Sequence, residues 1–371
     1  MNELRRKIED EIRERGPIPF SRYMEMCLYD DELGYYTRNA AQFGKAGDFY
    51  TSSDVHAVFG RLMARQFDEM WRALGSPDHI AVKELGPGRG LFAQDVLDWS
   101  QKKFPDLFRA LRYVLVEQSL ALRERIELTL RHRFDSAKII FEEAKSPDSP
   151  ALIFCNEFFD AVPVEIVSAK GSLRIGVHER GLSETWTAAS PAELEFLDRY
   201  SVHPEQGERI EVPLAAQSSV QNILRDIDRG FFVAIDYGYT REEQLAGRHR
   251  GTLKAVRQHS VSANPYEAPG EQDITADVNF TALASAIEPL GWKAQKLITQ
   301  SQFLMGIGEA NQFADAFEEC RLPQERAKVA LQLKHLVTPA GMGESFHVFV
   351  ASKGIDAQKV SQLAGLNFGR R

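Results

Sequence analysis

Ala81-Val82-Lys83-Glu84-Leu85-Gly86-Pro87-Gly88-Arg89-Gly90 leads an apolar run into an acidic residue, then places three glycines at alternate positions. The amphipathic segment Leu91 to Trp99 follows, so the stretch predicts a strand, a tight turn and a helix. Glycine lets a backbone turn sharply and approach a ligand closely, because no Cβ intervenes. A dinucleotide site would read G-x-G-x-x-G, with the pyrophosphate on the helix N-terminus. Here the spacing is G-x-G-x-G, and Glu84 stands two positions before the first glycine. A carboxylate there repels a pyrophosphate but suits the ammonium end of S-adenosylmethionine. The next apolar run, Tyr113-Val114-Leu115-Val116, ends in Glu117, a carboxylate able to accept both ribose hydroxyls of an adenosine ligand. A methyl donor therefore leads, with an NAD-linked oxidoreductase and a plain glycine turn as the alternatives.

Working outward, strand-like runs recur at Lys138–Phe141, Ala151–Cys155, Phe231–Ile235, Gly251–Val256 and Phe346–Ala351, with helical segments between them. Such alternation predicts an α/β fold built on a mostly parallel sheet of seven strands, whose ligands bind beyond the strands' carboxyl ends. The expected organisation has three parts. Residues 1–78 form a mainly helical N-terminal region with a donor-contacting flap at 44–54. Residues 79–164 and 230–371 form the core, with a helical insertion at about 302–336. Residues 165–229 form an inserted substrate-binding or lid region, with strand-like runs at Leu173–Val177 and Glu184–Thr187.

Composition narrows the class. The 371 residues carry a net charge of −8, which argues against a broad phosphate-binding surface and so against a nucleic-acid partner. No apolar run reaches the roughly 20 residues that span a bilayer. Met1 to Arg15 mixes acidic and basic residues around the helically spaced stripe Leu4, Ile8 and Ile12, unlike a signal or transit peptide. Three cysteines, Cys27, Cys155 and Cys320, have no metal-ligand spacing. No metal site and a reducing cytoplasm are the expectations; oligomeric state is not legible.

The fourth strand runs into Asn156-Glu157-Phe158-Phe159-Asp160-Ala161-Val162-Pro163, at the rim where a donor's methyl would lie. Two carboxylates can clamp a guanidinium in planar, charge-assisted geometry and take its proton. Glu157 leads for that clamp and Asp160 is second, while Asn156 holds the donor or the nucleophile. The structural alternative is a loop whose acids cap a helix or face solvent. The segment also loosely resembles the Asn/Asp-Pro-Pro-aromatic loop of enzymes that methylate nucleic-acid amines, without its prolines. Asp48, Tyr50, Thr51 and Ser52, in Gly47 to Asp54, are candidates for contacting the donor's amino-acid end, with Asp54 as a plain N-cap the alternative. Asp236-Tyr237-Gly238-Tyr239 is placed along the cleft, and His259 and Asp273 have a weaker claim.

These motifs together resemble the MidA-like proteins, relatives of the mitochondrial complex I assembly factor that is a protein arginine methyltransferase. The resemblance runs through Leu28-Tyr29-Asp30, Gly34-Tyr35-Tyr36, Gly47 to Ser52, Glu84 to Gly90 and Asn156 to Ala161. It continues through Ile235 to Gly238, Gly251-Thr252-Leu253, Asp273-Ile274-Thr275, Thr299-Gln300, Phe303-Leu304 and Gly341 to Glu344. It implies a class I, Rossmann-like methyltransferase sheet, with Glu84, Gly86, Gly88, Gly90 and Glu117 at S-adenosylmethionine. It also implies symmetric dimethylation of arginine on a protein, with a respiratory-complex subunit as a candidate partner. A donor-binding assembly or scaffold protein without turnover is the alternative. Leu91-Phe92, Ser301-Gln302 and Ser345-Phe346-His347 depart from the family's pattern; the first adjusts helix packing near the donor, and the others bear on the substrate.

Overall fold

The structure is a computed structural model that describes residues 2–38, 57–136, 138–142, 150–179, 181–257, 260–262 and 264–369. The chain divides into two compact units. One comprises Met1–Phe49, Phe159–Ile223 and Gly238–Ile287, the other Tyr50–Phe158, Leu224–Tyr237 and Glu288–Arg371.

The second unit holds the central sheet. Its principal strands are β1 (Ile80–Leu85), β2 (Leu111–Val116), β3 (Ile139–Phe141), β4 (Ala151–Asn156), β5 (Gly230–Tyr239) and β6 (Phe346–Lys353). They lie in the order β6-β5-β4-β1-β2-β3, with the two-residue strand Lys293–Ala294 outside β6. Strands β1 to β5 are mutually parallel and β6 is antiparallel. Short pairings at Ile298–Thr299 and Val278–Asn279 complete the sheet. A parallel strand covered on both faces reads as a continuous apolar run, and every residue of β1 is buried.

One strand assignment is corrected. Gly251–Val256 does not join this sheet: Lys254–Arg257 pairs antiparallel with Ser260–Ser262 and Asp273–Thr275 in a separate three-stranded sheet. Lys254 and Arg257 are exposed, Ala255 is buried and Val256 is half-buried, so the strand lacks the continuous burial of a parallel strand covered on both faces. The strand beside β6, Lys293–Ala294, is only two exposed residues long and leaves no periodic signal.

The helix Ala57–Ala73 packs on the helix Leu91–Lys103 over the sheet, around Phe59, Phe67, Phe92 and Phe154. Phe92 stacks on Phe154 with centroids 4.3 Å apart, which gives the unusual Leu91-Phe92 pair a packing role behind the glycine turn. Cys155 is buried in β4, a small core residue as expected. The last described segment closes the same unit. Gln66 is fully buried and accepts the Gly365 N–H at 2.9 Å, and Glu69 accepts the Ala364 N–H at 2.8 Å.

In the first unit, Leu4, Ile8 and Ile12 of the helix Glu3–Arg15 are buried, as is most of the helix Phe20–Tyr29. A five-stranded antiparallel sheet contains Ile18–Pro19, Glu165–Ser168, Gly171–His178, Gly181–Thr187 and Arg209–Val212. The two units differ in charge. The first carries 26 acidic and 18 basic residues, the second 27 of each, so the whole surplus of −8 resides in the first. Among the described residues, no helix is long and apolar enough to cross a membrane, and no group of His, Cys, Asp or Glu could hold a metal.

Candidate active site

The turn after β1 is built from left-handed backbone: Gly86, Gly88 and Gly90 have φ of 62°, 55° and 74°. That region is accessible to glycine without the steric cost other residues bear. The Gly86 N–H donates to the Val116 carbonyl at 3.1 Å, and the Gly90 N–H to the Pro87 carbonyl at 2.8 Å. The glycines serve different ends. A Cβ on Gly90 would lie 3.0 Å from Leu130, and one on Gly86 3.1 Å from Phe158, whereas one on Gly88 would meet no atom of the described residues within 4 Å. Gly86 and Gly90 therefore permit packing, and Gly88 keeps open the space beside the N-terminus of the helix Leu91–Lys103. That is the cradle a donor's amino-acid end requires.

Glu84 is 4% exposed, and its Oε2 accepts the Tyr113 hydroxyl at 2.9 Å. Burial pushes its carboxyl up to about 8, against the lowering effect of the tyrosine. A buried, nearly neutral carboxyl would ionise fully on receiving an ammonium. Glu117 follows β2, accepts the Ser119 N–H at 2.8 Å and is held above the usual carboxylate range by burial. Its backbone carbonyl accepts the Arg123 guanidinium at 2.6 Å, which ties the strand end to the next helix. Asp48, Tyr50, Thr51, Ser52 and His259 lie outside the described residues.

At the end of β4, Glu157 has φ of 52°, a left-handed conformation that costs a non-glycine residue of order 1–3 kcal/mol. Three hydrogen bonds hold it there. Its N–H donates to the Ile235 carbonyl at 2.9 Å, the next N–H, of Phe158, donates to Asp236 Oδ2 at 3.1 Å, and Asn156 Nδ2 donates to Glu157 Oε1 at 2.9 Å. Among the described residues Asn156 Oδ1 is buried with no partner, an acceptor available to a donor group. Asp236 is 1% exposed and also accepts the Tyr237 N–H at 2.9 Å, so one carboxylate ties the ends of β4 and β5 together. From sequence it appeared only as one residue of a tyrosine-rich segment.

In the first unit, Asp160 is buried and its carboxyl is pushed up to about 7. Burial is the main cause and the charge of Asp277 adds to it, while the Ala161 N–H and Lys254 oppose. The Ala276 N–H donates to the Asp160 carbonyl at 2.9 Å. Tyr36 donates its hydroxyl to Asp273 Oδ1 at 3.0 Å, and burial, with the charges of Asp273 and Asp160 adding to it, pushes its phenol well above the usual tyrosine range. Asp277 pairs with His249 Nδ1 at 2.9 Å and with Lys254 at 3.3 Å. From sequence, Asp273 had a minor claim as a site residue and Tyr36 none. Their pairing, 237 positions apart, is a tertiary fact that no local pattern carries.

A parallel sheet ordered in this way, with glycines and acids at its carboxyl ends, defines an S-adenosylmethionine-dependent methyltransferase. A model for the family "Putative S-adenosyl-L-methionine-dependent methyltransferase" matches residues 62–298, and the chain belongs to this family. A Burkholderia thailandensis protein solved with S-adenosyl-homocysteine superposes with a TM-score of 0.83 at 28% identity, covering 98% of this chain and 94% of that one. The Drosophila melanogaster mitochondrial protein arginine methyltransferase NDUFAF7 homolog is 27% identical, over 98% of this chain and 88% of its own length. The Homo sapiens mitochondrial protein arginine methyltransferase NDUFAF7 is 26% identical, over 91% of this chain and 80% of its own length. S-adenosylmethionine is the cofactor, and the MidA-like resemblance holds.

The expected cytoplasmic setting is overturned by the Drosophila and human relatives, which are mitochondrial proteins. Its basis was the usage of the three cysteines and the mixed charge near the N-terminus. In the structure that charge belongs to a folded helix, where Glu9 pairs with Arg5 and Arg13 around a buried stripe, so it carries no information about compartment.

Proposed function

We propose that the protein transfers a methyl group from S-adenosylmethionine to a guanidinium nitrogen of arginine in a protein substrate. The observation that carries this reading is Glu157, a carboxylate fixed in a strained turn at the carboxyl end of β4 and braced by Asn156 and Asp236. Strain of this kind persists where the surroundings over-determine it, and functional sites are where it concentrates. When bound, the donor supplies an electrophilic methyl on its sulfonium. Glu84, Gly86, Gly88, Gly90 and Glu117 are the residues proposed to hold it, with Asp48, Tyr50, Thr51 and Ser52 on the flap.

Glu157 would accept the guanidinium's N–H groups and aim one nitrogen, and Asn156 Oδ1 would accept a further N–H. Arginine keeps its proton to above pH 12, so transfer needs a nearby acceptor. Asp160, with a carboxyl poised near neutrality, is proposed for that role. The surplus negative charge of the first unit supports a cationic substrate, and residues 165–229 are proposed as the segment that receives it. Symmetric dimethylation and a respiratory-complex subunit as substrate complete the proposal; the relatives named as protein arginine methyltransferases support the substrate class.

The test is incubation of the purified protein with isotopically labelled donor and a cell lysate, followed by mass spectrometry of peptides. Labelled methylarginine is the expected result. Label on another residue would replace the substrate class, and donor binding without any label would favour a scaffold.

A further inference from the structure

We infer that Asp236 is a positioning residue for Glu157, acting through the backbone of the turn and not through the substrate; this rests on the role proposed for Glu157. The carboxylate is almost wholly buried and accepts two backbone N–H groups on different strands, Phe158 at the end of β4 and Tyr237 on β5. A carboxylate has two oxygens and about four lone-pair directions, and here Oδ2 accepts the Phe158 N–H and Oδ1 the Tyr237 N–H. The Glu157 N–H adds a third tie to the same strand, at the Ile235 carbonyl. Glu157 is thus anchored on both sides: by its own N–H and by the N–H that follows it.

Between these two anchors the backbone of Glu157 turns through φ of 52°, a conformation that its side chain disfavours. Released from Asp236, the turn would relax toward ordinary backbone angles and swing the carboxylate of Glu157 away from its bond to Asn156. Behind Asp236 the ring of Tyr237 lies against Phe346, with centroids 3.9 Å apart, so the supporting strand is itself packed. Glu157 supplies the chemistry and Asp236 its coordinates.

Two variants of Asp236 and two of Glu157 test this. Asp236→Ala should lower kcat by about 100-fold, the scale of an ångström-sized misplacement, with donor affinity within about threefold of wild type. Asp236→Asn keeps one acceptor oxygen and turns an NH2 toward the second N–H, so it should fall between wild type and Asp236→Ala and covers the case in which the alanine variant does not fold. In a Glu157→Gln background, Asp236→Ala should cost no further turnover. An additive loss, or loss of donor binding in step with kcat, would overturn the assignment. A readout independent of turnover uses Glu157→Gly, where the left-handed backbone is unstrained. Asp236→Ala should then lower Tm more in the Glu157→Gly background than in wild type, where relaxation of the strained turn recovers part of the loss, and equal shifts would overturn the positioning role even if the protein methylates nothing. Unequal Tm shifts without activity would instead sustain the positioning role and reject the methyl-transfer reading.

Discussion

The unit holding the central sheet and the unit holding Asp160 solve different problems with different materials. The sheet unit is charge-balanced and organised around a mostly parallel sheet with a stacked aromatic core, with Asn156, Glu157 and Asp236 toward the carboxyl ends of its strands. The other unit is acidic and antiparallel, and it buries carboxylates beside phenols and an imidazole. A donor shared by many enzymes needs a fixed cradle, which a backbone turn provides. A particular protein substrate needs charge and shape, which side chains from distant segments provide. On the proposed function, the contrast assigns donor binding to the fold and the choice of acceptor to the side chains particular to this chain.

The sharpest way to break that division is Glu157→Gln. It should cut kcat by about 1000-fold or more while the donor's Kd, measured by calorimetry, stays within a few-fold. Parallel loss of donor binding would move Glu157 to the donor side. Next in size, Gly88→Val should lower donor affinity by about 100-fold, because its side chain enters space within 4 Å of which no described residue places an atom. Gly90→Val should instead lower Tm through its collision with Ile126 and Leu130, so thermal melts and donor titrations should rank the two variants oppositely.

The pH dependence of kcat sharpens the acceptor side. With the Asp160 carboxyl held at about 7, its base form fills as pH rises through that value, so kcat should rise on a limb centred there. Asp160→Asn should remove that limb together with about 10- to 100-fold of the rate. Ionic strength gives a smaller effect: raising salt from about 0.05 to 0.5 M should increase KM for a basic protein substrate several-fold and leave the donor's Kd nearly unchanged.

The smallest effect belongs to Glu84. Its folded-state carboxyl is raised from 4.5 to about 8, so between those values the unfolded chain loses a proton that the folded chain keeps. Stability therefore falls as pH rises through that window and levels off above it. Glu84→Gln removes this penalty, so its Tm in the absence of donor should exceed that of wild type at pH 8 and match it near pH 4. A gain that is equal at both pH values would show that Glu84 does not carry the raised pKa.

How far the sequence could be read follows the same division. Glu84, the three glycines and Glu117 lie within about 35 positions in a strand–turn–helix–strand pattern, and local backbone preference makes such a pattern visible. The strands β1, β2, β4 and β5 announce themselves as apolar runs because a parallel strand is covered on both faces. The pattern failed at Lys254–Arg257, where a short amphipathic strand looks much like a member of the central sheet until its partners are known. It was blind to Lys293–Ala294, too short to carry a period. Asp236 was visible as a residue but not as a brace, since its contact with Phe158 spans 78 positions. Tyr36 met Asp273 for the same reason: long-range pairing leaves no trace in local composition.

The closure of the sheet unit by Gly365 on Gln66, across 299 positions, has a consequence for how the protein is made. Strands β1 to β4 emerge from the ribosome early, but β6, which covers the outer edge of β5, comes from residues 346–353. Until then β5 carries an open edge, and the helix Ala57–Ala73 keeps a buried glutamine unsatisfied. The sheet unit therefore cannot reach its final form before residues 346–365 have been made, and a nascent chain stalled before residue 346 should be a substrate for chaperones that recognise open strand edges.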